Sequence, residues 1–401
     1  MALLPVADAL ERLLAGAMPL SPEPVDLLSA SGRTLAEPLA AKLTAPPFDA
    51  SAMDGYAVRL TDLTTLPARL RVIGEAAAGQ GFRGKVATGE AVRIFTGAPM
   101  PDGADAVHIQ ENCTREDDAV IVREGNPDAA HVRPRGGDFT TGAELLNAGT
   151  RLGARQITLA AAMGHATLPV HRKPKVAILA SGDELVLPGV TPGTDQIVCS
   201  NPYGVAALVA AAGGDPHFLG IAADTREALN AHIDRARGYD LLITIGGASV
   251  GDHDLIAPVL EARGLSLDFW KIAMRPGKPM LFGRLGDMRV VGLPGNPVSA
   301  LICTRVFLVP LIERLCGRTQ SNARMVDAIA AVDIEANGPR THYMRATLQR
   351  GDDGRLLARP VRSQDSSLLS PLAAADCLLV REVGAPVLKA GETVQVLPLD
   401  F

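Results

Sequence analysis

Between Lys175 and Gly317 short, wholly apolar runs alternate with longer segments of helical spacing, and this alternation most constrains the fold. KVAILA (175–180), HFLGIA (217–222), DLLITI (240–245) and MRVVG (288–292) have the length and branching of buried strands. SNPYGVAALVAAAGG (200–214), TREALNAHIDRAR (225–237), DLIAPVLEARG (254–264) and the run 296–316 carry their apolar residues at turn spacing and read as helices. Strands that are apolar throughout are buried on both faces, so the segment predicts a doubly wound, mostly parallel sheet. Such sheets hold ligands beyond the carboxyl ends of their strands.

The flanking segments differ in texture. The first ~45 residues read as helical and end near APP (45–47), beginning with an amphipathic helix whose Asp8, Glu11 and Arg12 exclude a signal peptide. From there to about residue 132, Gly- and Pro-rich sequence encloses the short strand-like runs LRVIGEA, AVRIF, DAVHI and AVIVRE, which predict a small, mostly β domain. HVRPRGGDF (131–139) reads as a return linker, and LNAGTRLGARQITLAAAMG as a helical piece that packs back on the N-terminal segment. The tail alternates strands and turns (DAIAAVDI, HYMRATLQR, RLLARPV, DCLLVRE, ETVQVLPLD), predicting a small β-barrel or sandwich.

Four domains are therefore expected in the 401 residues: a split N-terminal domain (1–46 and 138–170), a mostly β domain (47–137), an α/β domain (171–320) and a C-terminal β-barrel (321–401). The five cysteines are scattered without a CxxC pair, which predicts neither a zinc site nor a disulfide framework and fits a cytoplasmic protein. A net charge of −5 with no lysine-rich run argues against a nucleic-acid partner. No uncharged apolar run of about 18 residues occurs, so no membrane span is expected; the nearest, 296–316, is interrupted by Arg305 and Glu313.

Three connections leaving predicted strands have unusual composition: ASGDELV (180–186), GGASVGDHD (246–254) and LPGNP (293–297). Ser181, Gly182, Gly246, Gly247, Gly251, Pro294 and Gly295 lie in these loops, where glycines let backbone N–H groups approach a ligand and Ser249 adds a hydroxyl. Asn296 is a good N-cap with Pro297 at the first helical position, and a helix mouth favours anions. Together the loops suit a phosphate with a planar ring beside it. The same edge carries Asp183, Glu184, Asp252 and Asp254, and carboxylates beside a phosphate cradle suit a hard cation such as Mg²⁺. The alternative for Asp254 is a helix cap, and for Asp252 a solvated loop charge. FWKIAMRPGKPMLFG (269–283) places Lys271, Arg275 and Lys278 around a rigid PGKP turn, either an oxyanion grip or an exposed basic loop. FDASAMDGYAV (48–58) offers Asp49 and Asp54, and IFTGAPMPDGADAV (94–107) offers Thr96 before a glycine.

FDASAMDGYAV, IFTGAPMPDGADAV, RPRGGDF, ASGDEL, SNPYG, GGASVGDHD, AMRPGKP and GLPGNPVSA together, in this order, resemble the molybdopterin molybdenumtransferase family, the MoeA and gephyrin E-domain proteins. The resemblance spans nearly the whole chain. It implies insertion of molybdate into adenylylated molybdopterin with release of AMP and with Mg²⁺ as cofactor. It implies an elongated homodimer whose clefts lie between the α/β domain of one subunit and the second domain of the other. Asp54 and Thr96 match the family's second-domain site residues. Glu184, Asp224, Asp254, Lys271 and Arg275 match those on the α/β domain, and Ser370 matches a C-terminal serine. Asp54, Glu184 and Asp254 are the expected metal contacts, and transient contact with molybdoenzyme apo-proteins or other cofactor-biosynthesis proteins follows from the family's role. Arg275 stands where many members have Lys, and Ala50 where many have Asn; Arg keeps the charge, so function is expected to be retained. The resemblance does not separate molybdate from tungstate. Two other readings remain open at this point: an adenylyltransferase-like enzyme, against which the added N- and C-terminal domains argue, and a gephyrin-like scaffold binding a partner peptide.

Overall fold

The computed structural model describes residues 3–125, 131–246, 255–318 and 325–399, so Gly247, Ser249, Gly251 and Asp254 lie outside the described residues. Packing divides the chain into two units. One comprises the chain up to Glu23, Gly32–Ala36 and the chain from Pro169 onward; the other comprises Pro24–Ser31 and Glu37–Leu168.

The larger unit is built on a six-stranded sheet in the spatial order Asp215–Ala222, Lys175–Ser181, Leu241–Ile245, Met288–Leu293, Leu281–Leu285, Ser266–Trp270. The first four strands are parallel, and the last two join through antiparallel pairings, Leu281–Leu285 running against the rest. Alternate side chains separate into two cores, as a strand's period of two requires. Ile178, Ile243 and Val291 pack under helix Asn201–Ala211 and the helical run from Pro297. Leu179, Leu242 and Val290 face the other way, against Leu229 and Ile233 of helix Arg226–Arg235 and Val259 and Leu260 of helix Ile256–Ala262. The edge strand SLDFW escapes the apolar-run signal because it leaves Ser266, Leu267 and Asp268 exposed.

The N-terminal helix, Val6–Leu14, buries Ala9 and Leu13 in the first of these cores. The helical reading of the first ~45 residues fails beyond it, because Pro19, Pro22 and Pro24 follow within ten residues and remove backbone donors. Arg289 and Arg284 close the helix end by donating to the Leu13 and Ala15 carbonyls at 3.2 and 3.0 Å.

The predicted 296–316 helix runs as Pro297–Cys303, a π-turn over Thr304–Leu308, and Val309–Leu315. The widened turn has a local cause. Pro310 cannot donate and its ring would press on the carbonyl four residues back, so the ladder shifts and the Val309 N–H bonds to the Thr304 carbonyl instead.

Five strands, Thr341–Arg350, Leu356–Pro360, Val326–Ala330, Thr393–Pro398 and Cys377–Arg381, pair in that order and close back on the first as a barrel. The short strand Met274–Arg275 pairs in parallel with Thr341 and His342, tying the RPGKP segment to the barrel wall.

In the smaller unit a second six-stranded sheet has the order Ala106–Ile109, Gly55–Val58, Glu90–Ile94, Ala68–Ala76, Ala119–Val122, Cys113–Glu116. Strand Glu144–Leu146 returns to pair with Leu39–Ala40, and helix Ala154–Ala162 follows, its entry held by a 3.2 Å bond from the Gly153 N–H to Gln156 Oε1. No helix among the described residues is long and apolar enough to cross a membrane.

Arg318 and Glu313 form an ion pair at 3.1 Å with side chains only 5% and 2% exposed, and Arg318 also donates to the Gly32 carbonyl at 3.3 Å. Removing one member leaves a buried charge without its partner. Glu313→Ala is expected to destabilise the larger unit by about 3–5 kcal/mol. Urea unfolding measures this, and an unchanged midpoint would refute it.

Candidate active site

The register of the parallel strands brings their carboxyl ends level: Ser181 pairs with Ala222, Ala180 with Ile245, and Ile245 with Leu293. A cleft of about 750 Å³ opens there, with Ser181, Gly182 and Glu184 on one loop, Asp224 on the next, then Gly246, then Pro294 and Gly295. Gly246 has φ +93°, and a Cβ on it would stand 2.5 Å from the Ser181 carbonyl oxygen, so only glycine fits that turn. Ser181 donates to Asp224 Oδ1 at 2.5 Å, and the Asp224 N–H donates to Asp183 Oδ1 at 3.0 Å, which fixes the two acidic loops against each other. Glu184 and Asp224 remain exposed, with carboxylate oxygens available to a ligand. Cys199 also lines the cleft, and burial, followed by the neighbouring Glu184 charge, pushes its thiol up. It is not an activated nucleophile.

Among the helices that begin at residues lining this cleft, the two that follow Ser200 and Asn296 differ. Val298, in the first turn of the helix that follows LPGNP, donates its N–H to the Ser366 carbonyl at 3.1 Å, and Ala300 donates to Asn296. That mouth is largely satisfied by the chain itself. Helix Asn201–Ala211 instead presents Ser200, Asn201 and Pro202 to the cleft, and no side-chain bond caps its end. Its partial positive charge faces the cleft. Asn201 joins the two mouths by donating to the Gly295 carbonyl at 2.6 Å.

A second cavity of about 360 Å³ is lined by Arg275, Lys278 and Arg340, by one carboxylate, Asp365, and by Gln364 and Ser366, and shares Pro279 and Asn296 with the cleft. Its floor is tightly packed. Gly277 has φ +111°, and a Cβ there would meet Cys303 Sγ at 2.5 Å. The electrostatics are positive: burial, then Arg275, Arg340 and Arg345, push the adjacent His342 down to about 4. His342 is therefore neutral at pH 7, and the cations are left to dominate the field.

In the smaller unit, Asp54 Oδ1 accepts the Thr96 N–H at 2.8 Å and the Thr96 hydroxyl at 2.7 Å. These two bonds, with the Arg93 charge adding less, hold the carboxyl below its ordinary value of 3.8. Arg93 donates to the Gly55 carbonyl at 2.9 Å and to Gln110 Oε1 at 2.5 Å, with its guanidinium 4.6 Å from the Phe95 ring centroid.

Sequence models of known families match the chain in three successive blocks: the MoeA N-terminal region (domains I and II) over residues 4–164, a probable molybdopterin-binding domain over 177–314, and the MoeA C-terminal region (domain IV) over 327–399. The molybdopterin molybdenumtransferase of Haemophilus influenzae is 36% identical over 385 residues, 95% of each chain. The chain belongs to the molybdopterin molybdenumtransferase family. The Bacillus subtilis member is 33% identical over 98% of this chain and 94% of its own. A crystal structure of the molybdopterin biosynthesis MoeA protein of Pyrococcus horikoshii superposes with a TM-score of 0.86 at 32% identity over the whole of both chains.

Most of the described residues matched to the molybdenumtransferase motifs fall into three groups. Ser181, Gly182, Glu184, Asp224, Gly246, Pro294 and Gly295 share the cleft, and Arg275 and Lys278 share the basic cavity. Asp54 and Thr96 form their own hydrogen-bonded pair in the smaller unit. Lys271 and Ser370 line neither cavity. Lys271 is instead held at φ +76°, a conformation that non-glycine residues rarely adopt, by bonds from its N–H to Met280 and from the Leu4 N–H to its carbonyl. Ser370 is exposed in the short helix Leu369–Ala373. Sequence reading missed Asn201, although it stands in the SNPYG motif, and Arg340, which follows the turn residues Asn337, Gly338 and Pro339 and has no basic neighbour in sequence to flag it.

Because the Asp54 carboxyl is stabilised as its anion, it stays charged below the ordinary carboxylate range, and the gain is lost as pH falls through its folded-state value. Thr96→Val removes the hydroxyl donor and keeps the backbone one. The Asp54 titration should then move upward toward 3.8, as read by carboxyl-carbon NMR on aspartate-labelled protein. An identical midpoint in the variant would show that Thr96 does not hold this carboxylate.

Proposed function

We propose that this protein inserts molybdate into adenylylated molybdopterin and releases AMP. One observation carries the reading: a cavity with three cations, Arg275, Lys278 and Arg340, shares the residues Pro279 and Asn296 with a glycine-lined cleft at the carboxyl edge of a parallel sheet. Each half suits one substrate. The cleft has the backbone approaches, the open helix N-terminus and the volume for a phosphorylated ring system. The cationic cavity suits a small dianion, and Arg275 offers it two parallel donors where a lysine would offer a point charge. Its opening beside the cleft brings the oxyanion to the ring system's reactive end, and the dithiolene comes from the substrate, so no protein thiol takes part.

Glu184 and Asp224 are the described carboxylates that suit Mg²⁺, which keeps several waters and takes one or two protein carboxylates; Asp254 completes the set in this proposal. Bound there, Mg²⁺ would neutralise charge on the departing AMP. Ser181 fixes Asp224, and Gly182 and Gly246 keep side chains out of the phosphate's path, with Gly247, Ser249 and Gly251 assigned to the same cradle. Thr96 orients Asp54 as an anion for a positioning role. Lys271 and Ser370 are retained as proposed substrate contacts on the family match. The division at 1–46 with 138–170, 47–137, 171–320 and 321–401 belongs to the same proposal, although residues up to Glu23 pack with the larger unit. So do a cytoplasmic location and a homodimer in which each cleft draws Asp54 from the other subunit.

Full-length protein supplied with adenylylated molybdopterin, Mg²⁺ and molybdate should release AMP at a rate that depends on molybdate. Arg275→Met should raise the molybdate concentration for half-maximal rate by about 10- to 100-fold, the loss expected for charge-assisted hydrogen bonds, with binding of the adenylylated pterin little changed. No AMP release by the wild type would overturn the reading.

For the homodimer, Asp54→Ala and Glu184→Ala chains, each inactive alone, should regain partial activity when mixed. A strictly monomeric mass at micromolar concentration, together with full wild-type activity, would sink the shared cleft.

A further inference from the structure

The loop that follows barrel strand Leu356–Pro360 is a wall shared by both cavities. Gln364, Asp365 and Ser366 line the basic cavity, and Ser367 and Leu369 line the cleft. The loop is folded around one side chain. Arg345, on barrel strand Thr341–Arg350, is 1% exposed and lines neither cavity. Its Nη1 donates to the Leu368 carbonyl at 2.9 Å, and its Nη2 donates to the Ser363 and Asp365 carbonyls at 3.0 and 2.9 Å. Gln364 clamps the Arg345 backbone from the other side, accepting its N–H and donating to its carbonyl, both at 3.0 Å. The Asp365 carboxylate is turned away to the Ser367 N–H and hydroxyl at 2.9 and 2.8 Å. The guanidinium thus donates to three carbonyl oxygens.

The far end of the loop is pinned to the α/β domain. The Ser366 carbonyl accepts the Val298 N–H, and its hydroxyl accepts from Asn296 Nδ2, both at 3.1 Å. Asn296 borders both cavities. A continuous path therefore runs from the buried guanidinium, through three carbonyls, to the residue at which the cavities meet.

We infer that Arg345 is a positioning residue that fixes the wall between the two cavities, and with it the placement of one bound group against the other. This rests on the proposed function for its catalytic meaning, but the geometric part stands alone. Three carbonyls, in partly buried bonds, converge within hydrogen-bond reach of one buried fork, and a planar multiple donor satisfies them together. A neutral side chain would leave them orphaned, and the loop would open to find water.

The test compares full-length Arg345→Met, Arg345→Lys and Val394→Ala, the last a barrel-core control at a side chain 6% exposed in strand Thr393–Pro398. Amide hydrogen exchange over residues 361–369 should quicken by about tenfold or more in Arg345→Met and less in Arg345→Lys, but not in Val394→Ala. In the AMP-release assay the KM for molybdate should rise by about tenfold in Arg345→Met, with a smaller change in kcat. Wild-type exchange of the loop in Arg345→Met, or an equal KM shift in the core control, would overturn the inference. If Arg345→Met does not fold, Arg345→Lys decides: loop exchange and KM both within about twofold of wild type would overturn it too. A wild type that shows no molybdate-dependent release while the loop exchange changes as stated would defeat the proposed function and leave the wall assignment standing.

Discussion

The cleft of the larger unit depends on the pairing of Lys175–Ser181 with its two parallel neighbours. This strand is buried on both faces from Val176 to Ser181, so a one-residue slip would exchange the contents of two cores. With register fixed that firmly, the strand ends finish at one level and three loops must turn in the same small space. The Gly246 backbone then lies so near the Ser181 carbonyl that a side chain cannot enter. The cradle is a consequence of sheet closure and glycine placement, before any ligand is considered.

The same economy appears in the charges. The chain is acidic overall, at −5, yet three cations meet in one cavity. Arg275 and Lys278 come from a turn of the α/β domain, whereas Arg340 comes from the start of a barrel strand. The parallel pairing of Met274–Arg275 with Thr341–His342 brings them together. Net charge therefore says little about this site; the strand pairing that crosses from one fold to the other decides it.

How much of this the sequence discloses follows from the range of each interaction. The four parallel strands, their helices and the five barrel strands are legible because periodicity and burial are local signals repeated over many residues. The antiparallel edge strand Ser266–Trp270 is not, since an edge needs no apolar run. The prolines at 19, 22 and 24 outweigh the apolar pattern that suggested a longer N-terminal helix. The loop residues of the cleft are legible because glycines and acids cluster after strands. Arg340 and Arg345 are illegible for the opposite reason: each is a single residue whose partners stand in a different segment, and Arg345 looks from its position like any exposed strand arginine.

The bond between Val298 and Ser366 has a bearing on how such proteins can be divided. An α/β domain severed from its barrel near residue 318 would keep its sheet and both helices. It would also lose the carbonyl that occupies the second helix mouth. The Val298 N–H would then face the cleft without the partner it has in the intact chain. In this architecture the barrel finishes a helix of the α/β domain as well as walling a cavity, so a cut between them alters both.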